Sequence, residues 1–133
     1  MILLDSHVLV WARSDDRKLG RKARALIDKH WSEGSVAVLA ISFWELGVLS
    51  ARGKLRLDSS ISLWRERVLS DGVVELDLGG AVCVRSLDLI GLPRDPVDRF
   101  IVAAALVHGA ALMTGDDAIL RWPHGLARHD ARA

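Results

Sequence analysis

The sequence predicts an α/β protein: a three-layer α/β/α sandwich around a central, mainly parallel sheet. Two observations lead there. Short apolar runs of strand length alternate with stretches whose apolar residues recur at helical spacing, the pattern of parallel strands joined by crossover helices. The 133 residues are also one domain's length, 50% of them hydrophobic and 26% charged; a chain of this size buries roughly two-thirds of its unfolded surface without staples. A single domain over residues 1–133 is the expectation.

The elements follow in order. Met1–Leu4 reads as a buried strand, and Asp5 and Ser6 supply helix-start chemistry for His7–Arg13. Residues 18–31 form an amphipathic helix with Lys18, Arg21, Lys22, Arg24 and Lys29 on its outer face. Val36–Ile41 is the second strand. Ser42-Phe43-Trp44-Glu45 matches a capping box opening the next helix, which Gly53 ends. A helix capped by Asp58 or Ser59 runs to Ser70, Val73–Leu78 alternates as a strand, and Ala81–Leu89 is helical. Asp95-Pro96-Val97-Asp98 is a strong helix start, with Asp95 as N-cap and Pro96 at the first helical position. The Ala/Val-rich helix that follows ends at Gly109, Ala110–Thr114 is a strand, and a short helix ends near Arg121. The polar tail Leu126–Ala133 reads as a weak edge strand. Trp11, Trp44 and Trp64 fall on apolar stripes and read as core; an exposed stripe would instead be a partner groove.

Composition excludes several classes. So apolar a chain is not intrinsically disordered. The lone Cys83 excludes an internal disulfide framework and a cysteine zinc cluster; inside its apolar run it reads as a small packed hydrophobe. The N-terminus lacks the basic, then apolar, pattern of a signal segment. The longest apolar stretch, Phe100–Val107, is far short of the roughly 20 residues that span a bilayer. A cytoplasmic protein without membrane contact is the expectation. No serine–histidine or cysteine–histidine nucleophile arrangement and no glycine-rich phosphate loop stands out.

The informative feature is where four acids fall. Asp5 follows the first strand, Glu45 lies one turn into the helix after the second, Asp98 one turn into the helix before the fourth, and Asp116 just beyond the fourth. In a parallel sheet the carboxyl ends of the strands share one edge, where ligands bind. Singly, each acid is what a helix N-terminus favours. Together, four carboxylates on one edge repel unless protonated or met by positive charge. A hard divalent cation resolves that conflict, and an all-carboxylate set points to Mg2+ or Mn2+ rather than zinc. Phosphodiester hydrolysis is the chemistry such a site performs best.

The motifs around these acids resemble a known family. Leu3-Leu4-Asp5-Ser6-His7, Ser42-Phe43-Trp44-Glu45, Asp95-Pro96-Val97-Asp98-Arg99 and Thr114-Gly115-Asp116 are similar, in order, to the motifs of PIN-domain ribonucleases, and most of all to the VapC-type toxins of bacterial toxin–antitoxin pairs. The resemblance brackets residues 1–120. It implies a PIN-like fold and an Mg2+- or Mn2+-dependent endoribonuclease with Asp5, Glu45, Asp98 and Asp116 as metal-binding catalytic acids. It places supporting hydroxyls at Ser6 and Thr114, and matches Asp95 to an acid read here mainly as the N-cap. It also implies a cognate antitoxin, which lays a helix into a groove beside the active site, and a homodimer. Arg21 and Lys22 on the basic helix, and Arg99 beside Asp98, are the candidate RNA contacts, and His7 reads as packed on the first helix. Two alternatives share the architecture. A flavodoxin-like receiver domain would use Asp77 as phosphoacceptor but needs a late lysine, and none follows Lys54. A catalytically inactive binding module would keep the fold without turnover.

Overall fold

The computed structural model describes residues 1–133. Five parallel strands form one sheet in the order β3-β2-β1-β4-β5. They are β1 (Ile2–Leu4), β2 (Val36–Leu39), β3 (Val74–Leu76), β4 (Ala111–Thr114) and β5 (Arg128–Asp130). Between β1 and β2 lie α1 (Ser6–Ser14) and α2 (Arg21–Ser32); between β2 and β3 lie α3 (Ile41–Ala51) and α4 (Ile61–Ser70). Helices α5 (Gly80–Arg85) and α6 (Pro96–His108) connect β3 to β4, and α7 (Asp117–Leu120) connects β4 to β5.

Strand alternation builds two cores. Ile2 and Leu4 face a core completed by Val8 and Leu9 of α1, Ala23 and Ile27 of α2, Phe43 and Leu46 of α3 and Trp64 and Val68 of α4. Leu3 faces the opposite one, made with Val82 of α5 and Val97, Ile101, Val102 and Ala105 of α6. A central strand of a parallel sheet is buried on both faces, so it reads as a continuous apolar run. That makes the three-layer sandwich expected from the sequence.

The chain steps outward from β1 through β2 to β3, then crosses back to start β4 on the other side of β1. Strand order therefore reverses between β1 and β4, and a crevice opens at their carboxyl ends. Asp5 ends β1 and is the N-cap of α1; Asp116 follows β4 and is the N-cap of α7. Helix α6 begins as anticipated, with Asp95 accepting from the Val97 and Asp98 amides at 3.0 and 3.3 Å.

Several sequence readings are corrected. Strand β2 ends at Leu39, and α3 begins from Ala40 without a side-chain cap. Ser42 therefore lies inside the helix, fully buried, and Ser42/Glu45 is not a capping box. Ser60 caps α4, accepting from the Leu63 amide at 3.2 Å. The helix expected to reach Leu89 stops at Arg85 and continues as a 3-10 turn over Ser86–Asp88. Trp64 is core as expected, but Trp44 is 61% exposed, and Cys83 is only half-buried.

The tail is more ordered than its polarity suggests. β5 pairs in register with Leu112–Thr114, and beyond it the Ala131 and Ala133 carbonyls accept from the Gly20 and Ala23 amides at 2.8 and 3.1 Å. These carbonyls answer the start of α2, whose N-cap Gly20 offers no side chain. A Cβ at Gly20 would stand 2.0 Å from the Ala133 oxygen. Gly20→Ala is therefore expected to cost about 1–3 kcal/mol of stability, the usual range for overpacking, measured by urea unfolding. A variant as stable as wild type would show that the tail does not rest on α2.

Candidate active site

The crevice at the strand-order reversal holds a cavity of about 320 Å³ lined by Asp5, His7, Trp11, Glu45, Asp95, Asp98, Gly115 and Asp116. The four acids singled out in the sequence meet there, with Asp95 as a fifth. They come from β1, α3, α6 and the β4–α7 junction. No lysine or arginine lines the cavity.

Asp5 is the most constrained. Its side chain is 7% exposed. One carboxylate oxygen accepts from the Ser6 amide at 2.8 Å and the other from the Thr114 hydroxyl at 2.7 Å. The Thr114 oxygen in turn accepts from the Asp116 amide at 3.1 Å. Thr114 thus links the acid after β1 to the acid after β4. Ser6, expected to lie beside the acids, is fully buried and donates its hydroxyl to the Ser42 Oγ at 2.8 Å. This bond ties α1 to α3, which carries Glu45 one turn further on. Burial thus explains why Ser42 is small, and the hydrogen bond from Ser6 why it is polar.

Crowding shows in the acid strengths. Asp98 is pushed up to about 7, first by burial and then by the charges of Asp5, Asp95, Asp116 and Glu45. Burial also raises Asp5, against the Thr114 and Ser6 hydrogen bonds, and raises Glu45. Five carboxylates share the cavity with no lysine or arginine, and His7 is the one charge that pulls Asp5 and Glu45 the other way. Such perturbation in a cleft marks a functional site.

The other expectations divide. His7, read as packed on α1, is exposed and lines the cavity, and Trp11, read as core, is half-buried in its wall. Histidine and tryptophan four residues apart on a helix was the signal available for both. Arg21 and Lys22 are exposed at the start of α2, outside the cavity lining. Arg99 is committed elsewhere: its guanidinium donates to the Ser86 carbonyl at 2.8 and 3.1 Å and to the Leu92 carbonyl at 2.8 Å. It ties α6 to the 3-10 turn and its following loop, and this candidate RNA contact lies outside the cavity lining. Arg132, unremarked in the sequence, bridges Asp117 and Asp130 at 2.7 and 3.0 Å.

Asp98 makes stability depend on pH. In the unfolded chain this carboxyl titrates near 3.8 and in the folded chain near 7, so between those values the folded state binds more protons. Its contribution favours folding at low pH and is lost as pH rises toward about 7. Asp98→Asn is expected to gain thermal stability relative to metal-free wild type, by an amount growing from about pH 4 to about pH 7. Melting temperatures in EDTA across that range check it; a constant difference would refute the shifted carboxyl.

Comparison with known proteins agrees with this geometry. The PIN domain family model matches residues 2–124. Ribonuclease VapC22 of Mycobacterium tuberculosis is 34% identical over 116 residues, covering 86% of each chain. Among solved structures, a chain of VapBC2 from Rickettsia felis, bound to a promoter DNA fragment, superposes with a TM-score of 0.71 at 18% identity, over 97% of this chain and 98% of that one. A chain of DNA-bound VapBC from Salmonella typhimurium gives 0.69 at 18% identity, over 97% and 96%. The sheet order, the acids at the strand ends and the match along most of the chain lead to one assignment: this protein belongs to the PIN domain family, as a VapC-type member.

Proposed function

We propose that the chain is a single nuclease domain over residues 1–133, a divalent-metal-dependent endoribonuclease acting as the toxin of a VapBC-type pair. The observation that carries the reading is the convergence of five carboxylates from four segments on one cavity that no lysine or arginine lines. The donor set suits a hard cation. No three Asp, Glu, His or Cys side chains close into a ready-made cage, which suits Mg2+ or Mn2+ held by one or two carboxylates with water completing the shell. Asp5, Glu45, Asp98 and Asp116 are the proposed ligands. Bound there, such a cation supplies Lewis acidity toward the phosphate and an activated water.

The chain's own residues prepare that chemistry. Asp5 is held still by Thr114 and the Ser6 amide, so its free lone pairs point from a fixed place. Asp98, pushed up to about 7 by burial and its acidic neighbours, would ligate a cation only as the carboxylate, so cation affinity is expected to rise with pH. Asp95 caps α6, and the positive end of that helix lies beside Asp98. Arg21 and Lys22, exposed and unpaired, are proposed to meet backbone phosphates away from the cut.

An apolar groove of about 440 Å³ adjoins the cavity, lined by Ile41, Trp44, Val48, Leu49, Pro96 and Phe100 and sharing Glu45 and Asp95 with it. The exposed Trp44 makes this the proposed seat of an antitoxin helix, which there would lie against the acids. A structural neighbour from Klebsiella pneumoniae is itself a toxin–antitoxin complex. A homodimer is proposed from the family resemblance alone. No helix is long and apolar enough to cross a membrane, consistent with the proposed cytoplasmic location. The receiver alternative finds no support, since Asp77 is exposed and outside the cavity.

With Mg2+ or Mn2+ the purified chain is expected to cleave RNA, and EDTA to abolish cleavage. Asp5→Asn should lower kcat/KM at least about a hundredfold while keeping the circular dichroism spectrum. Undiminished cleavage by Asp5→Asn and Asp98→Asn would refute the site. A folded wild type whose melting temperature Mg2+ does not raise, and which cleaves nothing, would favour the inactive binding module.

A further inference from the structure

We propose that His7 and Trp11 form a stacking wall that receives bases of single-stranded RNA next to the scissile phosphate. The inference rests on the ribonuclease reading and deepens it, naming the residues that would hold the bases on either side of the cut. Apart from five carboxylates and Gly115, the cavity lining consists of these two rings. They stand four residues apart on α1, so they lie one turn above the other on the same face. Ser6, Val8 and Leu9 are the fully buried side of α1; Trp11 packs against that core at its margin and is half-buried where it meets the cavity.

The indole is held in place from the opposite strand end. A Cβ at Gly115 would stand 3.0 Å from Cη2 and 3.2 Å from Cζ3 of Trp11. Gly115 does not adopt a left-handed φ, so the backbone conformation does not call for glycine there. Close approach of the Trp11 ring does. The chain leaving β4 therefore packs against the six-membered end of the indole, which remains half-buried at the cavity wall.

Chemistry favours bases as the occupants. A lysine or arginine in this wall would be drawn onto the carboxylates. The Trp11 indole binds a nucleobase without charge, by about 1–3 kcal/mol per base and with tolerance of sequence. Bases inside a duplex keep their faces covered, whereas those of single strands and loops are free to stack on aromatic side chains. A wall of rings beside the acids thus selects unpaired RNA and sets the phosphate between bases over the cavity.

The test uses a short single-stranded oligoribonucleotide and the full chain. Trp11→Ala is expected to raise KM about tenfold with kcat little changed, while Trp11→Phe, which keeps a ring, stays near wild type; His7→Phe likewise outperforms His7→Ala. One abasic nucleotide beside the cut should raise KM of wild type by a similar factor and add nothing in Trp11→Ala, since coupled sites are not additive. Titration with calcium in place of magnesium, to hold off cleavage, should quench tryptophan fluorescence in wild type more than in Trp11→Phe. The chain has five tryptophans, and the difference isolates this one. Cleavage with KM unchanged in Trp11→Ala, or an additive abasic penalty, overturns the stacking wall and leaves the ribonuclease reading intact. So would a Trp11 whose loss weakens only capture by a protein partner. If Trp11→Ala fails to fold, the abasic and fluorescence arms decide with wild type and Trp11→Phe. Absence of any cleavage by wild type with Mg2+ strikes the ribonuclease reading itself.

Discussion

The hydrogen bond from Thr114 to Asp5 joins residues 109 apart, and the site depends on it. Asp5 is buried at the end of a central strand, where an ionised carboxyl is costly unless hydrogen-bonded. Thr114 and the Ser6 amide supply those bonds. The Thr114 oxygen simultaneously receives the Asp116 amide, so one hydroxyl fixes two acids from adjacent strands. β1 and β4 can present acids this close only because they are paired in parallel register, Leu4 beside Met113. Sheet topology brings the carboxylates to one edge, and the threonine holds them there.

Such a site works against folding. Burial first, and repulsion between the carboxylates after it, hold the pKa values of Asp5, Glu45 and Asp98 above the usual carboxylate range. The fold answers locally and globally. Locally, Asp5, Asp95 and Asp116 each cap a helix, so backbone amides face the negative charge. Globally, the two apolar cores on either face of the sheet hold the strand ends rigid whatever the state of the acids. Preorganised repulsion of this kind disfavours the empty site and so favours whatever cation enters it.

What was legible in the sequence was what local chemistry dictates. Buried central strands announce themselves as apolar runs, and Asp95-Pro96 starts a helix on its own terms, so the sheet and the strand-end acids could be placed before any coordinates. What escaped depended on tertiary partners. Ser42 matched a cap motif, but its hydroxyl serves a contact with Ser6, 36 residues away. Trp44 fits an apolar stripe as well as Trp64 does; only the packing of α4 over Phe43 decides which is covered. Strand β5, Arg128-His129-Asp130, carries no apolar signature because an edge strand is held by main-chain pairing. His7 and Trp11 were ambiguous for a related reason. Their spacing shows a shared face, not what that face meets.

The charge balance makes sense only with these positions known. Eighteen basic residues against 17 acidic ones look indifferent to a polyanion. Yet the ion pairs between arginine and carboxylate all lie outside the cavity, at Asp15, Asp58, Asp71, Glu75, Asp117 and Asp130. None of the cavity acids has such a partner. Without the four proposed ligands the remainder is 18 bases against 13 acids, a modestly basic exterior around an acidic hollow. On the proposed reading, a polyanion would be repelled by that hollow while it is empty, and a bound cation would reduce the repulsion. The metal proposed for chemistry would thus also act as a condition for binding, and affinity for RNA should depend on it as strongly as turnover does.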